Sequence, residues 1–141
     1  MIGNSYNPQR LETIENVIIP AREPSSAPIA PTGAPLRVGF FGQISRLKGI
    51  AVLFEAAQYL ETRKSNIIFD IHGTYQGQPP EFQEEFLQLF AAAGSTVRYH
   101  GAYAPQDVDG LMRGVDLVLV PSIWWENSPV VIQESWPAPI E

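Results

Sequence analysis

Leu36-Arg37-Val38-Gly39-Phe40-Phe41-Gly42-Gln43-Ile44-Ser45-Arg46-Leu47-Lys48-Gly49-Ile50 is the stretch on which the fold turns. Leu36 to Phe41 form a short apolar run closed by Gly42, the pattern of a buried strand entering a turn. Beyond it Ile50, Leu53, Phe54, Ala57 and Leu60 recur at helical spacing and give way to Glu61-Thr62-Arg63-Lys64, which predicts an amphipathic helix. Strand, glycine-bounded loop and helix make the first part of a βαβ unit, completed by the strand Ile67-Ile68-Phe69-Asp70-Ile71 and its closing His72-Gly73.

The alternation then continues. Phe82, Phe86, Leu89, Phe90 and Ala93 mark a second helix, ending at Gly94, where glycine can take the left-handed cap conformation. Val97 to Tyr99 is a third strand. Pro105 suits the first turn of a short helix carrying Val108, Leu111 and Met112, and Asp116-Leu117-Val118-Leu119-Val120 is a fourth strand stopped by Pro121. Strands apolar on both faces and alternating with helices predict an α/β fold, a Rossmann-like doubly wound parallel sheet. In the order 3-2-1-4, strands one and four are neighbours, and the crevice at their carboxyl ends is where ligands bind. The chain ahead of this pattern is different: Pro20, Pro24, Pro28, Pro31 and Pro35 punctuate a Ser/Ala/Thr-rich run. Residues 1–35 therefore read as a linker, with Val17-Ile18-Ile19 the end of a preceding segment, and residues 36–141 as the domain.

Composition narrows the function. The chain has 141 residues, 45% of them hydrophobic, with Lys+Arg 9 against Asp+Glu 15 for a formal charge of −6. That acidic balance argues against nucleic acid as a partner, because phosphate attraction supplies the sequence-independent part of such binding. With Cys 0 and His 2 there is no disulfide framework, no thiol nucleophile and thin material for a metal site. No apolar run approaches the roughly 20 residues of a membrane span, and the start of the chain lacks signal-peptide regions, so a cytoplasmic protein is expected.

Two loops fall at the predicted switch point. The first, Gly42 to Gly49, opens the first helix, and from Pro24 to Phe54 the chain carries Arg37, Arg46 and Lys48 but no acidic residue. Backbone N–H groups, a helix dipole and basic side chains together make an anion site suited to phosphate. Simple turn glycines with solvated basic side chains are the plainer alternative. The loop is neither G-x-G-x-x-G nor a Walker loop, since Lys48 precedes Gly49 rather than Ser or Thr. The second loop, Pro121 to Pro129, leads to a helix for which Ser128 is a candidate N-cap and Pro129 a first-turn residue. Glu126 in this loop and Glu134 on the helix are eight positions apart, so they suit two parts of one extended ligand. Carboxylates accept hydrogen bonds from sugar hydroxyls, and the N–H groups of Asn127 to Val130 suit negative charge between them. A sugar joined to a diphosphate satisfies both loops. Trp124 and Trp125 are expected in core or interface packing, and His72 and His100 as hydrogen-bonded turn residues at strand ends. Asp107 and Asp109 are assigned a structural role at a helix start.

These residues resemble the nucleotide-sugar-binding half of group 1 (family 4) glycosyltransferases of the GT-B fold, from about Asn16 to Glu134. Asp116 to Ser122 running into Glu126 and Glu134 reproduces that family's strand, Pro-Ser and E-x7-E arrangement. Phe41-Gly42-Gln43-Ile44 with Lys48-Gly49 resembles its glycine-rich loop, and Val97-Arg98-Tyr99-His100-Gly101 the strand before its third helix. The resemblance implies retaining transfer of a hexosyl group from a nucleotide-diphosphate sugar, with no cofactor and no metal. It places Lys48 on the diphosphate, Glu126 and the Asn127, Ser128, Pro129 and Val130 backbone on donor sugar and phosphate, and Glu134 on the ribose hydroxyls. Gly73, His100 and Gly101 would line the base, Gly42 and Gln43 belong to the loop, and Glu126 and Lys48 would be the catalytic pair.

Three departures bear on activity. The family often has Arg where Gln43 stands, which leaves Arg46 to supply the phosphate charge. Asn127-Ser128-Pro129 replaces a glycine-rich turn. After Glu134 the chain reads Ser135-Trp136-Pro137-Ala138-Pro139-Ile140-Glu141, where the family continues with small residues and further strands. The expectation is a donor-binding fragment, truncated at about four main strands and inactive without its acceptor-binding domain. A catalytically silent nucleotide-binding or protein-interaction module is the alternative. An open apolar edge at Asp116 to Val120 would favour a homodimer.

Overall fold

In the computed structural model, which describes residues 33–125 and 130–135, chain order alternates as the sequence reading expects. The elements are β1 (Leu36–Phe41), α1 (Ile50–Thr62), β2 (Ile67–His72), α2 (Pro80–Ala92), β3 (Val97–Gly101), α3 (Val108–Arg113), β4 (Leu117–Val118) and α4 (Val130–Ser135). The strands form one sheet in the order β3-β2-β1-β4 with every neighbouring pair parallel. The fold is therefore the expected doubly wound α/β form. Residues 1–32 of the proposed linker, among them the Val17-Ile18-Ile19 segment, and residues 136–141 lie outside the described residues.

One sheet face carries the core. Val38, Phe40, Phe69, Ile71 and Val97 meet Ile50, Leu53, Phe54 and Ala57 from α1 and Phe82 and Phe86 from α2. Phe54 and Phe86 are wholly buried and meet edge to face at 5.8 Å. Each such side chain contributes about 1.5 to 3 kcal/mol by leaving water. α2 opens with Pro80 at its first positions, where a missing N–H costs nothing, and Gly94 beyond its end takes φ 60°, as its cap role requires.

The opposite face departs from expectation. Side chains alternate along a strand, so Arg37 and Phe41 share that face with Asp70, His72 and His100. Asp70 and His72 are buried there, so the strands are not apolar on both faces. The buried carboxylate is tolerated because both oxygens are matched: Arg37 Nε donates to Oδ2 at 2.9 Å, and His100 Nε2 lies 2.6 Å from Oδ1. Burial opposes ionisation of Asp70, but those hydrogen bonds and the charges behind them hold its carboxyl below the usual range.

β4 is also shorter than the expected Asp116 to Val120 strand. Only Leu117 and Val118 pair regularly with β1. At Asp116 the carboxylate takes a rung of the ladder, accepting from Arg37 N at 2.7 Å, while Leu119 N reaches Gly39 O at 2.8 Å. Trp124 and Trp125 do not pack into the core; they are 61% and 94% exposed. Asp109 is structural as expected, pairing with Arg113 one turn along α3 at 3.1 Å.

Candidate functional site

The site is built where β1, β2 and β3 end together. Hydrogen bonding continues past the strands: Gly42 N donates to His72 O at 3.0 Å, Gly73 N to Gly101 O at 2.8 Å, and Ile44 N to Thr74 O at 3.0 Å. Gly73 permits this closeness, since a Cβ there would sit 1.8 Å from Gly42 O. On its other side the β1–α1 loop is pinned to the segment after β4. Ile123 N donates to Leu47 O at 3.0 Å, and Gly49, at φ 72°, leaves its Cα so close to Pro121 that a Cβ would lie 2.0 Å from Pro121 O. The two loops singled out in the sequence thus meet at the switch point.

Beside them three rings stack across the sheet. Phe41 and His72 lie 4.9 Å apart with planes 4° from parallel, and His72 and His100 lie 4.4 Å apart at 8°. Burial and the neighbouring His100 push the His72 imidazole toward its neutral form. Tyr103, from the loop after β3, stands edge-on to Phe41 at 6.1 Å and to His72 at 6.5 Å. Burial and the charge of Glu134 raise the Tyr103 hydroxyl, and burial raises the Glu134 carboxyl. α4 thus carries Glu134 within electrostatic reach of Tyr103.

The other candidates divide. Lys48 is half-buried at the end of its loop, where its amide donates to Ser45 Oγ at 3.3 Å. Gln43 is exposed and Gly42 half-buried. Arg46 turns to α2, donating from Nε to Glu85 at 3.0 Å and standing 5.7 Å over the Phe82 ring. Its charge thus already has a carboxylate partner. Val130 is exposed at the first position of α4, whereas Glu126, Asn127, Ser128 and Pro129 lie outside the described residues. Among the described residues no group of His, Asp and Glu side chains is arranged to hold a metal ion, and no helix is long and apolar enough to cross a membrane.

The family model for "Glycosyl transferases group 1" matches residues 22–138. The chain belongs to the glycosyl transferase group 1 family. It is 31% identical over 87 residues to the lipopolysaccharide 1,2-N-acetylglucosaminetransferase of Salmonella typhimurium, an alignment covering 59% of this chain and 23% of that protein. The chain thus spans about a quarter of the length of the curated relative it matches. Its fold is similar, with a TM-score of 0.60 and 20% identity, to the crystal structure of the C-terminal domain of a glycosyl transferase group 1 family protein from Francisella tularensis. That match covers 73% of this chain and 55% of that one.

For this glycosyl transferase group 1 chain, the sequence reading missed Asp70 and Tyr103, and it counted Arg37 with the basic side chains of the first loop, whereas Arg37 Nε donates to Asp70 Oδ2. A charged residue inside Ile67 to Ile71 was the available signal for Asp70: a carboxylate in a central strand requires cationic or N–H partners, and Arg37 and His100 supply them on the same face. Tyr103 carried no such signal, because it follows a loop glycine whose course sets where the ring lands.

Proposed function

We propose that this chain is the donor-binding part of a retaining glycosyltransferase, using a nucleotide-diphosphate sugar and passing a hexosyl group to an acceptor held by a separate domain. The observation that carries this reading is the close apposition of the Gly42 to Gly49 loop to the Pro121 to Ile123 segment at the carboxyl end of the sheet. Lys48 and the loop amides bind the diphosphate, Glu134 accepts from ribose hydroxyls, and Gly73, His100 and Gly101 line the base. Glu126 and the backbone of Asn127 to Val130 hold the sugar and the near phosphate. As the bond from the anomeric carbon to the diphosphate oxygen breaks, negative charge grows on the departing diphosphate, and fixed donors stabilise it there. The acceptor oxygen then forms its bond on the face that the diphosphate leaves, and its proton passes to the departing diphosphate oxygen. The name of the Salmonella relative supports an N-acetylhexosamine as the sugar.

Calorimetric titration with UDP, GDP and ADP tests the reading. One diphosphate should bind in preference to its monophosphate, and Lys48→Ala should weaken it; equal binding of monophosphate and diphosphate would contradict the assignment of the loop. The chain alone should show no transferase turnover, so robust transfer by it would overturn the division of labour. A silent nucleotide-binding module is favoured by one observation, the engagement of Arg46 by Glu85 where Gln43 already lacks a charge. Nucleotide binding without transfer by the full-length parent would establish it.

A further inference from the structure

Asp70 is the only wholly buried charged side chain among the described residues, and it sits two residues before the candidate site rather than in it. Its oxygens have separate duties. Oδ2 accepts from Arg37 Nε at 2.9 Å, which sets a fixed positive charge against the carboxylate, and Oδ1 lies 2.6 Å from His100 Nε2. An ionised carboxylate can only accept, so the proton in the second contact belongs to His100. The imidazole has two ring nitrogens, and which one carries the proton in the neutral ring is set by the partner of the other. Here the partner is buried and held by Arg37. The ring is also held flat against His72, so its rotation is restricted on a second count. His100 is nevertheless 39% exposed, and among the described residues Nδ1 has no hydrogen-bond partner.

We infer that Asp70, compensated by Arg37, is a positioning residue that fixes neutral His100 as the Nε2–H tautomer, so that Nδ1 offers a hydrogen-bond acceptor to an N–H or O–H group of the bound nucleotide. The nucleotide half of this inference rests on the donor-site reading above; the tautomer half does not. An acceptor at this place discriminates by chemistry. A ligand group that donates is matched, whereas one that only accepts leaves Nδ1 and itself unpaired, a loss worth about tenfold in affinity.

Asp70→Asn is the informative variant, because it keeps the shape and changes the instruction. If the amide oxygen stays with Arg37, the amide nitrogen donates toward Nε2, and the proton of the neutral imidazole moves to Nδ1. Side-chain 15N NMR of histidine-labelled chain, above the imidazole titration, should show protonated Nε2 and bare Nδ1 for His100 in the wild type, with the pattern reversed in D70N. A mixed tautomer in the wild type, or the same tautomer in both, overturns the inference. Titration with UDP, 3-methyl-UDP and 2′,3′-dideoxy-UDP then separates a base N–H from a ribose hydroxyl as the group read. D70N and His100→Ala should each weaken UDP about tenfold, while His100→Asn, which restores an acceptor near Nδ1, should recover most of the loss. Should D70N fail to fold, the His100 pair decides; equal binding by H100A and H100N overturns the acceptor role. If none of UDP, GDP or ADP binds the wild type, the donor-site reading falls and takes the nucleotide half with it, while the 15N pattern still judges Asp70.

Discussion

Replacing Gly49 by Ala should cost this chain about 2 to 5 kcal/mol, part from backbone conformation and part from a steric clash. Gly49 has φ 72°, a conformation in which a Cβ crowds the following carbonyl, costing about 1 to 2 kcal/mol. In addition, the new Cβ would stand 2.0 Å from Pro121 O and 2.7 Å from Pro121 C. Both are backbone atoms, so no rotamer change relieves the clash. Either the β1–α1 loop or the segment after β4 must move by more than an ångström, at the roughly 1 to 3 kcal/mol typical of overpacking. Gly77 supplies the control: it also has positive φ, at 87°, but a Cβ there would meet nothing within 4 Å. Gly77→Ala should therefore cost only the first part. Urea unfolding followed by circular dichroism gives both values, and the amide of Ile123, which donates to Leu47 O at 3.0 Å, should shift in Gly49→Ala alone. If the two variants lose equal stability, the loops are not packed against each other and the site geometry argued from them is wrong.

Phe54→Ala, at a wholly buried ring against Phe86, should cost about 3 to 5 kcal/mol by the same unfolding assay; a loss below about 1 kcal/mol would show that α1 does not seal the core. The acid limb of stability should carry the mark of Asp70: its folded value is lowered, so its contribution is complete above the ordinary 3.8 and lost as pH falls through the folded value. Unfolding of D70N should accordingly depend less steeply on pH below about 4 than unfolding of the wild type. Glu134 has the opposite sign, since burial raises it above 4.5: its contribution is complete below 4.5 and lost as pH rises through the folded value. Glu134→Gln should thus gain stability relative to the wild type between pH 4 and 7 while weakening nucleotide binding; a pH-independent difference would place Glu134 in water. Leu117, 55% exposed on the edge strand β4, should drive self-association, which Leu117→Lys abolishes. Sedimentation of the wild type as a monomer at high concentration would refute that edge.

Much of the fold was legible because it is written in short-range patterns. The apolar run Leu36 to Phe41, the helical spacing from Ile50 to Leu60 and the strand from Ile67 gave the βαβ start with its boundaries, and the general rules of parallel sheets then gave the order 3-2-1-4. What the pattern could not resolve was chemistry between strands. Asp70 was absorbed into an apolar run because its partners, Arg37 and His100, are 33 and 30 positions away and meet it only once the parallel register is fixed. The late start of β4 has a similar origin: the Asp116 carboxylate takes the amide of Arg37, 79 positions distant. Of the two places expected for Trp124 and Trp125, core or interface, exposure in the single chain removes the core, a choice that nothing nearby in sequence decides. The meeting of the two loops was foreseen from topology, but the reason they can meet, a glycine under Pro121 O, belongs to three dimensions.

The central claim is that the loops after β1 and β4 hold one nucleotide-diphosphate between them. Backbone NMR of the labelled chain, titrated with UDP, GDP and ADP, tests it most directly, with Lys48→Ala alongside. One nucleotide should shift amides in both Gly42 to Gly49 and Val130 to Ser135, and the shifts should weaken in Lys48→Ala. A well-dispersed spectrum in which no nucleotide moves either segment would contradict it.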